Sequence, residues 1–286
     1  MNKEKKKLKN IFIFMQIYTA LQLYCVDAYS FQLDSFKAAK DAQAEGLELP
    51  VADEDGGIKT NNSMGKNAPI IDSLSQEFIK DAIVPGATVL EIGTGYGLVA
   101  KEAIKQGAMY YVANDLDPIH LKVLARNIKQ GLSQQALSRI KLVTGNFLHE
   151  FKGEKRFDAI LIARVLHFLT PDEITSSLTL ARDLLKENGA IYIIVATPYG
   201  NDDWYNDFIL EFEMRKRNKD PFPGYVDDLY KVANKKVIPK ETLNEFRGHH
   251  FCFFDKETIN LLLNKIGFKV ESIDGESSLY IKASKV

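Results

Sequence analysis

From Pro69 to the C-terminus, short apolar runs alternate with amphipathic stretches, and that alternation restricts the chain to a layered α/β fold. Residues 88–92, 109–113, 140–143, 157–162 and 190–196 are brief and largely apolar and read as strands, with 88–92 β-branched and buried. Between them lie helical stretches at 70–83, 97–106, 118–130 and 170–185. Their ends carry local signals. Pro85-Gly86 and Gly107 close the first two, Pro118 opens the third, and Thr170-Pro171-Asp172-Glu173 reads as a capping box. Strand–helix repeats of this length imply right-handed crossovers and a parallel sheet. The tail departs from the repeat. After a helix at 256–266, residues 268–273 and 279–283 face each other across Asp274-Gly275, which predicts an antiparallel closing pair.

The first strand runs into Val89-Leu90-Glu91-Ile92-Gly93-Thr94-Gly95-Tyr96-Gly97. In an open α/β sheet, ligands bind outside the carboxyl ends of the strands, near such a bend. Glycine permits positive φ there and removes a Cβ from the path of a ligand. A dinucleotide fingerprint requires a third glycine at position 98, which is Leu98, and no Lys-Ser/Thr pair follows as a P-loop requires. Asp115 stands twenty residues after Gly95, past the second strand, where a carboxylate can accept both hydrogen bonds of a ribose diol. Nicotinamide-binding folds place an acid at similar spacing, so Asp115 alone does not separate the two classes.

Gly-x-Gly-x-Gly preceded by Glu91, with Asp115-Leu116-Asp117-Pro118 downstream, resembles the class I S-adenosylmethionine-dependent methyltransferases over residues 68–285. The resemblance implies a seven-stranded, mostly parallel Rossmann-like sheet with an antiparallel last strand and helices on both faces. It implies S-adenosyl-L-methionine as cofactor, held by Glu91, Gly93, Thr94, Gly95, Gly97, Asp115 and Leu116. Asn146 replaces the acid that the family commonly places against the adenine amino group; its carbonyl can still accept, and Phe147 supplies the apolar neighbour. Arg164 and His167 fall in the family's motif IV region. His167 is the candidate general base, or else a wall of the cofactor pocket. Arg164 is expected to meet an acidic substrate, Asp117 or Glu91. Asp117 itself reads as the cap of the helix that follows. The Asn/Asp-Pro-Pro-Tyr signature of amino-directed nucleic-acid methyltransferases is absent.

Lys and Arg total 37 against 38 Asp and Glu, so no global field draws in a polyanion, and no nucleic-acid partner is expected. The expected partner is a small-molecule or protein methyl acceptor. No metal site is expected: Cys252, near His249 and His250, reads as a small buried residue among Phe251, Phe253 and Phe254. Residues 1–30 have a basic start and an apolar run ending near Cys25, the order of a signal peptide or membrane anchor. That predicts an exported or membrane-anchored protein, or a cytoplasmic one if the leader does not function. Residues 31–67 read as a short helix and a flexible connector. A lid-like insertion at about 198–254 carries Tyr199, Trp204, Tyr205, Phe208, Phe222, Tyr225 and Tyr230, with Arg215-Lys216-Arg217 on a solvated helix face. The alternative to a methyltransferase is an inactive cofactor-binding fold exported as an interaction module.

Overall fold

The structure, a computed structural model, describes residues 32–54, 56–62, 65–152, 156–200 and 202–286. The expected leader and Cys25 lie outside the described residues. In chain order the strands are β1 (Gln32–Leu33), β2 (Ile58–Lys59), β3 (Lys66–Asn67), β4 (Thr88–Ile92), β5 (Tyr110–Asp115) and β6 (Ile140–Thr144). They continue with β7 (Phe157–Ala163), β8 (Leu185–Ala196), β9 (Tyr225–Val226), β10 (Phe251–Cys252), β11 (Phe268–Asp274) and β12 (Ser278–Lys285).

One sheet of eight strands organises the molecule, in the order β1-β6-β5-β4-β7-β8-β12-β11. The five central strands are parallel, and β12 runs antiparallel between β8 and β11. The seven expected strands are all present. The eighth, β1, pairs antiparallel with β6 at the edge through only two residues, too few to show a period in the sequence.

The central strands are apolar on both sides because both faces are covered. Leu90, Ile160, Ile162, Ile191 and Ile193 point into one core with Leu178 and Ala181 of the helix Pro171–Leu184. Val89, Ala113, Leu161 and Ile194 point into the other, against Phe78, Ile104 and Leu124. A fully buried side chain of this size contributes about 1.5–3 kcal/mol. The capping box at Thr170 and Glu173 forms with both bonds in place, which fixes where that helix begins.

Two segments differ from their sequence reading. Within residues 32–67 the expected short helix is present, and 58–59 and 66–67 are paired strands where a flexible connector was expected. The helix Ser35–Ala44 buries Ala38 and Ala39 in the second core, with Leu124 and Ile128 of the helix Pro118–Gly131, and Ala42 is buried as well. Strands β2 and β3 then form a hairpin, Ile58 opposite Asn67 and Lys59 opposite Lys66. The insertion has a core of its own, with Tyr205, Phe208, Phe212, Val226, Leu229 and Phe253 packed together. The Arg215–Arg217 cluster is not a free solvated face. Arg215 pairs with Glu211 and donates to the Tyr225 carbonyl, while Lys216 bridges Asp255 and Glu257 at 2.5 and 2.8 Å. These bonds tie the insertion to the start of the helix Lys256–Ile266. Among the described residues no helix is long and apolar enough to cross a membrane.

Candidate functional site

The bend after β4 is anchored by its own neighbours. The amides of Gly93 and Thr94 donate to the Asn114 carbonyl at 2.9 and 3.0 Å, and Gly95 N–H donates to Asp115 Oδ2 at 2.7 Å. All three glycines have positive φ, from 54° to 76°. Close packing demands them: an added Cβ would lie 2.3 Å from Val165 at Gly93, 2.0 Å from Asn67 at Gly95 and 2.2 Å from Leu124 at Gly97. The clearance that the sequence suggested for a ligand is thus partly taken by the protein's own side chains. The amide hydrogens of Gly93, Thr94 and Gly95 are all turned toward β5.

Glu91 is buried beneath this bend, and its Oε2 accepts from Thr94 Oγ1 and Tyr111 Oη, both at 2.6 Å. Burial pushes its carboxyl up to about 7, against the pull of those two donors. Asp115 is also buried, and its Oδ1 accepts from Asp117 N–H and His120 Nδ1, both at 2.9 Å. With Gly95 on Oδ2, three of roughly four lone-pair positions are occupied. Asp115 therefore has room for one ribose hydroxyl, not the two that its sequence position suggested. Asp117 caps the next helix by accepting from Ile119 N–H at 2.9 Å.

A cavity of about 600 Å³ opens beside the bend. It is lined by Glu91, Gly93, Thr94, Gly95, Asp115 and Leu116 on one side, and by Asn146, Phe147, Arg164 and His167 on others. Of the expected cofactor residues only Gly97 is absent from the lining. Leu116 is 55% exposed, an apolar side chain open to the cavity. Asn146 caps a short helix by accepting from Leu148 N–H at 2.9 Å, so its carbonyl has one position left. Phe147 is mostly packed against Phe151, with ring centroids 5.3 Å apart.

Arg164, at φ 60°, meets neither Asp117 nor Glu91. Its Nη1 lies 3.4 Å from Asp72 Oδ2, a loose pair with the guanidinium half-exposed on the cavity wall. His167 stacks on Phe251 at 4.8 Å and is buried with no partner for Nδ1. Burial, with Arg164 nearby, lowers its imidazole to about 3. The ring is held in its neutral form by that burial. It is a wall of the cavity.

Much of the site was not legible in the sequence. The hairpin β2–β3 lies across the bend. Asn67 Oδ1 accepts from Tyr96 N–H at 3.4 Å, the Lys59 carbonyl accepts from Tyr96 Oη at 3.3 Å, and Asn61 N–H donates to His120 Nε2 at 2.9 Å. Through His120 the hairpin is thus linked to Asp115. Thr60, Gly65, Lys66 and Asn67 line the cavity, and Asn67 Nδ2 is buried without a partner. From the insertion, Tyr205 reaches the cavity with Phe246, His249, His250 and Phe251; the other six aromatics named from sequence do not line it. The run Thr60–Asn67 is polar or glycine at every position but Met64, a signal indistinguishable from an ordinary loop. Among the described residues no group of three His, Cys, Asp or Glu is placed to hold a metal, and Cys252 is fully buried with its thiol pushed up by desolvation.

Residues 89–189 match the sequence profile of a family described as a methyltransferase domain. Over these residues the chain is similar to the S-adenosylmethionine-dependent methyltransferases. Its similarity to a ribosomal protein L11 methyltransferase of Caldanaerobacter subterraneus subsp. tengcongensis is 28% identity over 116 residues, covering 39% of this chain and 36% of that protein. The same enzyme of Chloroflexus aurantiacus is 30% identical over 125 residues, covering 36% and 38%. The chain spans little more than a third of the length of these relatives. Among solved structures, a S-adenosylmethionine-dependent methyltransferase of Methanosarcina mazei superposes with a TM-score of 0.53 at 16% identity, covering 73% of this chain and 97% of that one. Magnesium protoporphyrin IX methyltransferase of Synechocystis PCC 6803, with bound S-adenosylhomocysteine, gives 0.51 at 15% identity, covering 76% and 82%. These likenesses concern the fold. The cofactor of that family is S-adenosyl-L-methionine, and the cavity holds groups suited to it: Arg164 would meet its carboxylate, Asp115 a ribose hydroxyl and Leu116 an adenine face.

Proposed function

We propose that this methyltransferase moves a methyl group from S-adenosyl-L-methionine to a small molecule or a protein side chain. The observation that carries the reading is the placement of the glycine bend and Asp115 at one cavity, joined by the Gly95–Asp115 hydrogen bond at 2.7 Å. When bound, the cofactor supplies an electrophilic methyl on a cationic sulfur. The chain's own residues do the rest. The bend and Asp115 fix the donor end, the β2–β3 hairpin shields it from water, and the insertion-side wall fixes an acceptor. Holding two reactants in line is worth roughly 7–11 kcal/mol in favourable cases, so positioning suffices for an acceptor that needs no early deprotonation. His167, neutral and weakly basic, fits that scheme as an orienting wall.

The test is incubation of the chain with methyl-labelled cofactor and, separately, a low-mass metabolite extract and a protein extract. Transfer of label to either fraction is expected, with release of S-adenosylhomocysteine. Cofactor binding with no transfer to either fraction would contradict the proposal.

A further inference from the structure

The insertion-side wall of the cavity has a chemistry unlike the glycine side. His167 stacks on Phe251 at an interplanar angle of 25°, and Phe168 meets both rings edge-on at 4.3 and 5.6 Å. Phe246, Tyr205 and His250 complete it. His250 Nε2 donates to the Phe168 carbonyl at 2.8 Å, so its ring is held in place. The phenol of Tyr205 is kept protonated by burial. Two carboxylates reach this wall, and both are engaged. Glu173 Oε2 accepts from Thr170 N–H and Oγ1 at 2.9 and 2.8 Å, and Glu245 pairs with Lys59 at 3.0 Å. A lysine amine entering here would lose its water beside aromatic rings and would compete for two carboxylates that already have partners. A flat apolar ring would meet aromatic surface on several sides.

We propose that this wall selects the methyl acceptor as a planar, uncharged aromatic small molecule, packed beside the Phe251 and Phe246 rings with a hydroxyl or ring N–H turned toward the His167 imidazole. The proposal rests on the methyltransferase reading and narrows its acceptor from two classes to one.

Trp204, the single tryptophan, reports on the site because its ring lies 6.4 Å from Tyr205 and 6.3 Å from Phe246. Its fluorescence is to be titrated in the full chain with 2-naphthol and, separately, with Nα-acetyl-lysine amide, each with and without S-adenosylhomocysteine. Saturable quenching by 2-naphthol alone is expected. Phe251→Leu, which keeps an apolar side chain but removes the aromatic ring, is expected to weaken 2-naphthol roughly three- to tenfold while S-adenosylhomocysteine affinity is unchanged. His167→Phe separates ring packing from the polar contact: it should cost 2-naphthol more affinity than it costs naphthalene. Binding of the lysine amide in preference to 2-naphthol, or equal 2-naphthol affinity in the native chain and Phe251→Leu, would overturn the proposal. Failure of S-adenosylhomocysteine to bind overturns the methyltransferase reading instead, and the titration without it still judges the wall.

Discussion

Glu91 and His167 are both buried at the cavity, and both are pushed toward their neutral forms, which gives them opposite pH dependences. The carboxyl of Glu91 is raised from about 4.5 to about 7, so its contribution to stability is full below about 4.5 and lost as pH rises through 7. His167 is lowered from 6.5 to about 3, so its contribution is full above 6.5 and lost as pH falls toward 3. Glu91→Gln mimics the protonated carboxyl and should raise stability at pH 8 by about 1–3 kcal/mol, with little gain at pH 4.5. Urea denaturation at the two pH values checks it; an equal effect at both would contradict the burial account. His167→Phe should flatten the loss of stability between pH 6.5 and 4, read by the same method. At Gly97, φ is 76° and an added Cβ would lie 2.2 Å from Leu124, itself fully buried. Gly97→Ala is expected to cost about 1–3 kcal/mol, seen as a lowered melting temperature. The glycine positions were legible in the sequence because their spacing is a pattern. What they pack against was not, since Asn67, Leu124 and Val165 are distant in sequence and carry no mark of the contact.

At the scale of elements, long periodic segments announced themselves and short ones did not. The helix at Pro171–Leu184 was fixed by its capping box and its apolar spacing, both local properties. Strands β1, β2 and β3 have two residues each, and their pairing depends on partners made by the rest of the fold. The hairpin therefore read as linker, although it roofs the cavity. The helix Ser35–Ala44 precedes it, with Ala38, Ala39 and Ala42 almost wholly buried and the helix packed on the helix Pro118–Gly131. Ala39→Asp would place an unpaired charge in that seam at a cost of several kcal/mol. Limited proteolysis should then cut before residue 68 while the main sheet stays resistant; unchanged resistance of the N-terminal segment would contradict the packing described.

At the scale of the whole molecule, a sheet shared with the class I methyltransferases carries two additions: the hairpin over the donor side and the insertion over the other. The insertion has a separate core in which Phe208, Phe212 and Phe253 pack together, so the main sheet and the insertion are distinct packing units sharing one cavity. Hydrogen exchange should show S-adenosylhomocysteine slowing amides in residues 93–97 and 60–67, with little effect in the helix Asp202–Arg217. The most direct test of the donor site is calorimetric titration of S-adenosylhomocysteine into the native chain and into Asp115→Ala, each shown to be folded by circular dichroism. One-site binding by the native chain, weakened about ten- to a hundredfold in the variant, is the predicted result. No binding by the native chain, or the same affinity in both, would contradict it.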